Sequence, residues 1–178
     1  MTPTEELKHE HQIILLVLQR AEQMARSQSD LDAAELARIV EFLQGFADRC
    51  HHGKEEKHLF TRMAEHGFSF QQGPLAVMML EHDQGRAHVR ALAEALDRAG
   101  RGLPLDAAAV KARLGDYAKL LRDHIHKEDH ILYPMADSAF SPEDQRALAE
   151  AFEKVEREEM GEGAHEKYHA LAHRLSVS

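Results

Sequence analysis

One pattern of acidic residues, histidine and lysine is written twice in this chain. Glu10-His11 is followed, forty residues after the histidine, by His51-His52-Gly53-Lys54-Glu55-Glu56-Lys57-His58-Leu59-Phe60. Glu81-His82 is followed, forty-two residues on, by His124-Ile125-His126-Lys127-Glu128-Asp129-His130-Ile131-Leu132-Tyr133. Both halves read Glu-His, then His-x-x-Lys-Glu-acid-x-x-Leu-aromatic. The lone histidines lie 71 residues apart and the paired motifs 73 apart. A period of that length is a duplicated helical hairpin, not a solenoid repeat.

The punctuation between these motifs supports helices. Thr2 caps a first helix from about Pro3 to Ser27, with Pro3 at its first position and Glu5 completing a capping box. A second starts after Asp30, near Leu31 to Ala34, and runs to about His66 before Gly67; a third runs from Pro74 to about Gly100. A fourth extends from about Leu105 to Ala139, with Pro134 expected to kink its last turns or end it early. Ser141, Pro142 and Asp144 open a further helix ending near Met160, and a last one covers about Ala164 to Leu175. The expected fold class is all-α: an antiparallel up-down four-helix bundle over residues 1–140, with one or two extra helices in 141–178 packed on the same domain.

The repeated residues carry metal chemistry. His51 and Glu55 are four apart and project from one face of a helix, as do His124 and Glu128. His11 and His82 come from the partner helix of each pair. Converging on a bundle axis, His11, His51, Glu55, His82, His124 and Glu128 supply four imidazoles and two carboxylates. If each carboxylate bridges, two metals share the set with two histidines apiece. Nitrogen and oxygen donors without thiolate suit iron or manganese better than copper(I). His52 with Glu56 is also spaced by four, but His52 aligns with Ile125, so the repeat places it out of register.

A formal net charge of -9 argues against nucleic acid as a partner, because binding phosphates needs clustered cations. Cys50 is the only cysteine, which suits a reducing compartment. The first apolar run, Ile13 to Leu18, is too short for a signal-peptide core or a membrane span. The expectation is a cytoplasmic, soluble monomer or homodimer with no membrane partner.

Taken together, Glu10-His11, His51-x-x-Lys-Glu55-Glu56-x-x-Leu59-Phe60, Glu81-His82-Asp83 and His124-x-x-Lys-Glu128-x-x-x-Leu132-Tyr133-Pro134 resemble the hemerythrin-like, or HHE cation-binding, family over about residues 5–137. The resemblance implies two irons per chain bridged by both carboxylates and an oxo or hydroxo group, with manganese or zinc as substitutes in vitro. It further implies a small diatomic or peroxide ligand and reaction with peroxide, nitric oxide or dioxygen in stress handling. Catalase-like, peroxidase-like and nitric-oxide-reacting chemistry all stay open, as does an iron- or oxygen-sensing or storage module without turnover. The oxygen-carrying members have a second histidine one turn after the third-helix ligand, and this chain has Arg86 there. They also place an Asp five residues after the fourth-helix histidine, where this chain has Glu128 at four. The set resembles the four-His, two-Glu branch, and Arg86 is a candidate for contacting a bound peroxide or supporting a nearby acid such as Asp83 or Glu55.

Other residues read as scaffold. His165, His169 and His173 repeat every four residues and are taken as a solvated face or packing seam. Tyr117 and Tyr133 are assigned to core packing, Cys50 to an inert buried position, Ile13–Leu18 and Val77–Leu80 to core-forming faces, and Glu156–Glu159 to a solvated helix face.

Overall fold

The computed structural model describes residues 1–177, all of whose regular structure is helical. We number six helices: α1 (Pro3–Arg26), α2 (33–65), α3 (Pro74–Gly100), α4 (107–139), α5 (142–160) and α6 (Ala164–Ser176). The expected caps form. Thr2 and Glu5 make a reciprocal capping box on α1, and Ser141 and Asp144 make another on α5. Asp32 caps α2 and Asp106 caps α4.

Pro134 does not end α4. A π-helical turn, Glu128–Leu132, precedes it, in which the Tyr133 N–H donates to the Glu128 carbonyl five residues back. Proline then falls in the first turn of the following α-helical segment, where its missing N–H is not needed. The same turn occurs at the repeat-related place in α2, Glu55–Leu59, with Phe60 N–H donating to Glu55. At this turn the duplication extends to the backbone, whereas the π-helical stretch Leu43–His52 of α2 has no counterpart in α4. Such turns recur at functional sites because they re-aim a side chain within a helix.

Side-chain contacts establish the up-down order. Thr4 at the start of α1 donates to Asp137 at the end of α4 (2.8 Å), while Lys111 near the start of α4 donates to the Ser27 carbonyl after α1 (2.8 Å). Glu10 meets His51 and Arg20 meets Glu35, so α1 and α2 are antiparallel. Glu56 with His82 and Asp48 with Arg86 do the same for α2 and α3; Glu81 with His124 and His88 with Tyr117 do it for α3 and α4.

Two apolar clusters fill the bundle. One contains Ile14, Leu18, Phe42, Phe46, Leu114 and Leu121 with others. The second contains Leu7, Phe60, Met63, Met78, Leu132 and Tyr133. Between them in sequence along α1, α2 and α3 lie the histidines and carboxylates, and on α4 His124 and Glu128 flank Ile125 of the first cluster. Leu148 and Phe152 of α5 join the second cluster; Leu171, Ala172 and Leu175 of α6 join the first. The extension, whose last residue Ser178 lies outside the described residues, thus packs on the bundle. Gly45 lets α6 approach α2: a Cβ there would stand 1.9 Å from the Tyr168 hydroxyl.

One apolar assignment fails. Val77 and Leu80 are 41% and 58% exposed, and only Met78 of that run is buried. Leu75, Met78 and His82 share the inward stripe of α3, so Val77 and Leu80, off that stripe, face out. Among the described residues no helix is long and apolar enough to cross a membrane.

Candidate metal centre

The structure brings all six sequence-predicted side chains into one buried layer. His11, Glu55, Glu128 and His124 have no exposed surface, and His51 and His82 have 1% each. Glu128 spans two groups of imidazoles. Its Oε2 lies 3.2 Å from His11 Nε2, and its Oε1 lies 3.0 Å from His124 Nε2 and 3.9 Å from His82 Nε2. Glu55 spans them too, with Oε1 3.8 Å from His51 Nε2 and Oε2 3.4 Å from His82 Nε2. Donor atoms of His11, His51, Glu55 and Glu128 fall within 4.8 Å of one another, as do those of His52, Glu55, His82 and His124. Glu55 Oε2, both oxygens of Glu128 and His51 Nε2 are buried with no hydrogen-bond partner. Buried carboxylate oxygens without partners are costly. A bound cation satisfies them, so the donor set fits a metal.

Each imidazole is fixed from behind by a carboxylate on the neighbouring helix. Glu10 of α1 holds His51 Nδ1 (2.8 Å), and Glu56 of α2 holds His82 Nδ1 (2.6 Å). Glu81 of α3 holds His124 Nδ1 (2.8 Å), and Asp129 of α4 returns to His11 Nδ1 (2.8 Å). The ring of four pairs closes around the bundle. A carboxylate only accepts, so Nδ1 carries the proton and Nε2 keeps its lone pair for the interior. Without a metal, these carboxylates also attract an extra proton. Burial opposes charging of His11, but the hydrogen bond to Asp129 and the nearby charges of Glu128 and Glu55 push it up to about 10.

The lysine in each motif also has work. Lys54 has no exposed surface, yet its Nζ donates to Glu6 (2.7 Å), Glu10 (2.7 Å) and Glu156 (2.6 Å). Burial would discharge it; the facing carboxylates, Glu10 foremost, outweigh this and hold it protonated. Lys127 pairs with Glu81 in the other half. Lys54→Met should destabilise the protein by about 3 kcal/mol, because it takes the ammonium away from buried Glu10, which keeps only the His51 and His165 imidazoles. Urea unfolding checks this; a loss under 1 kcal/mol would mean that Glu10 does not depend on Lys54.

Several residues gain roles that sequence reasoning did not assign. The orienting Glu10, Glu56, Glu81 and Asp129 were part of the repeat, and their duplication was the available signal. Tyr133 is buried as expected, but it also donates to Glu55 Oε1 (2.6 Å) and stacks on His11, so it belongs to the site as well as to the core. Its repeat counterpart, Phe60, stacks on His82 without a hydroxyl. Arg86 donates to Asp48 (2.9 Å), Glu56 (2.7 Å) and Asp83 (3.3 Å), not to Glu55, and so supports the carboxylate behind His82. His52 is 5% exposed and lies flat on His82, ring centroids 3.9 Å apart. Glu156 joins the Lys54 cluster instead of standing free in solvent. His165 and His169 form a packing seam against Phe46, and His173 is exposed. Cys50 is buried, and burial pushes its thiol up to about 12.

Comparisons with known proteins agree with this architecture. The chain is 27% identical over 134 residues, 72% of its length, to the iron-sulfur cluster repair protein YtfE of Musicola paradisiaca (strain Ech703). That stretch spans 59% of the relative's own length. The hemerythrin HHE cation binding domain matches residues 2–136, which contain every buried histidine and carboxylate of the layer. With its site and three quarters of its length inside that match, the chain belongs to the hemerythrin HHE cation-binding family.

Proposed function

We propose that the chain holds two irons, one at His11 and His51 and one at His82 and His124, with Glu55 and Glu128 bridging both. The observation carrying this reading is that each bridging carboxylate directs its two oxygens to different histidine groups, while Glu55 Oε2 and both Glu128 oxygens have no hydrogen-bond partner. Each metal then has four protein donors, which leaves coordination positions open; a purely structural site is usually closed. An iron pair, when bound, supplies electron transfer and open positions for peroxide, nitric oxide or dioxygen.

The chain's own residues prepare the place. Four carboxylates hold the imidazoles with Nε2 inward. Tyr133 fixes one oxygen of Glu55. The two apolar clusters keep bulk water from the layer. Arg86 is not the third histidine of the oxygen carriers, and a guanidinium does not serve as a metal ligand. The reading is therefore reaction with peroxide or nitric oxide in stress handling, in place of reversible oxygen storage. The relative's name, iron-sulfur cluster repair protein, supports an iron-related stress role.

Stopped-flow mixing of the reduced protein with dioxygen, peroxide and nitric oxide tests this. Consumption of peroxide or rapid combination with nitric oxide is expected. A stable, reversible oxygenated species, with no reaction toward the other two, would establish a carrier instead.

A further inference from the structure

The two halves match in their donor residues and diverge beside them. Position for position, His52 stands where the other half has Ile125, Asp48 where it has Leu121, Gly85 where it has Ile14, and Arg86 where it has Leu15. Ile14, Leu18, Leu121 and Ile125 are buried and belong to the first apolar cluster, closing the α1–α4 side. On the α2–α3 side a cleft of about 640 Å³ remains. Leu43, Val89, Ala93 and Tyr117 line it, with the exposed Arg90 and Asp97 among its charged residues. His52 also lines it, and the His52 ring lies flat against His82. Gly85 contributes to the space, since a side chain there would start 3.5 Å from the Tyr117 ring.

We propose that this cleft is the entrance for small uncharged ligands, that it leads to the metal position of His82 and His124 and not to that of His11 and His51, and that His52 contacts the arriving ligand. The inference rests on the di-metal reading above. Three observations favour an uncharged guest. Arg86, the cation nearest the interior, is already engaged by Asp48, Glu56 and Asp83. The remaining cations, Arg90 and Arg98, are matched in number by Glu94 and by Asp97, the latter paired with Arg101. Leu43, Gly85, Val89, Ala93 and Tyr117 supply the apolar stretch of wall between these charges. His52 Nδ1 is buried without a hydrogen-bond partner, with Asp48 Oδ1 3.5 Å away, so the imidazole has unused polar capacity at the inner end. On the other side Ile125 offers no polar atom, and the Tyr133 hydroxyl occupies the space beside His11 and Glu55.

Cysteine placement gives the test, because Cys50, the one native cysteine, is buried. In the full chain, His52→Cys should react with a small methanethiosulfonate reagent and Ile125→Cys should not, a readout independent of metal loading. Ala93→Cys and Gln19→Cys are then coupled to a bulky maleimide; Gln19 is exposed on the closed side, at the position that repeats as Arg90. In reduced, iron-loaded protein, the label at 93 should slow nitric oxide binding at least about tenfold, read from the nitrosyl absorption, and the label at 19 should leave it unchanged. His52→Ala should retain iron and weaken nitric oxide binding by about tenfold, the size of one lost polar contact. Equal rates for the two labelled proteins, or equal reactivity at 52 and 125, would overturn the entrance. Loss of iron in His52→Ala would overturn the ligand-contact role by making His52 a metal ligand. Failure of the unmodified chain to bind iron would instead refute the di-metal reading, and metal analysis separates that result from the others.

Discussion

Glu128→Ala is expected to strip the chain of both metals, not one. The Glu128 carboxylate faces His11 with one oxygen and His82 and His124 with the other, and it has no exposed surface. Removing it deletes one donor from each position. It also removes the negative charge that the clustered imidazoles face, so two cations would sit closer to electroneutrality failure. Glu55→Ala should behave alike, since its two oxygens divide between His51 and His82. The informative contrast is His124→Ala, which takes donors from one position only. Metal content of purified variants, measured alongside circular dichroism, reads the result. A Glu128→Ala protein that keeps a single tightly bound metal per chain would show that this carboxylate is a terminal ligand.

Metal removal should lower the melting temperature by about 10–20 °C in a chain of this size. The layer includes four buried polar atoms with no partner in the protein, at His51, Glu55 and Glu128. Each unsatisfied group costs about 1–3 kcal/mol, a sum of about 4–12 kcal/mol that proton uptake holds near its lower end, about 5 kcal/mol. A kilocalorie per mole shifts the midpoint by about 2–4 °C in domains of this length. The metal-free chain relieves some of the cost by keeping protons on its imidazoles, as the raised His11, His82 and His124 indicate. The bundle should therefore loosen around the layer rather than unfold outright, with the two apolar clusters persisting at either end. Calorimetry of metal-free and metal-loaded protein measures the difference. Coincident transitions would mean that the layer is open to water.

Much of this architecture was legible in the sequence because it is written in local signals. Thr2 with Glu5 and Ser141 with Asp144 marked helix starts that the structure keeps. The duplication set the register of the six donors, which no single His-x-x-x-Glu could have done. What escaped notice was of two kinds. Glu10, Glu56, Glu81, Asp129 and the two lysines were visible in the repeat, but their work lies across helices: each carboxylate serves a histidine on the next helix, and spacing along one helix does not reveal that. Contacts such as Lys54 with Glu156 join residues 102 apart, outside the repeat altogether. The second kind was asymmetry. Matching the halves discards whatever is unmatched, so it set His52 aside and read Tyr133 like Phe60. The structure shows both against the donors. Pro134 does not end its helix for a physical reason as well, because a π-helical turn placed it where a helix tolerates proline.

The central claim is that one buried layer holds two irons between paired histidines. Elemental analysis together with an optical spectrum, on protein reconstituted anaerobically with ferrous iron and then oxidised, tests it most directly. The account predicts two irons per chain, near-ultraviolet charge-transfer absorption and no porphyrin band. A single zinc with no iron after the same treatment would contradict it.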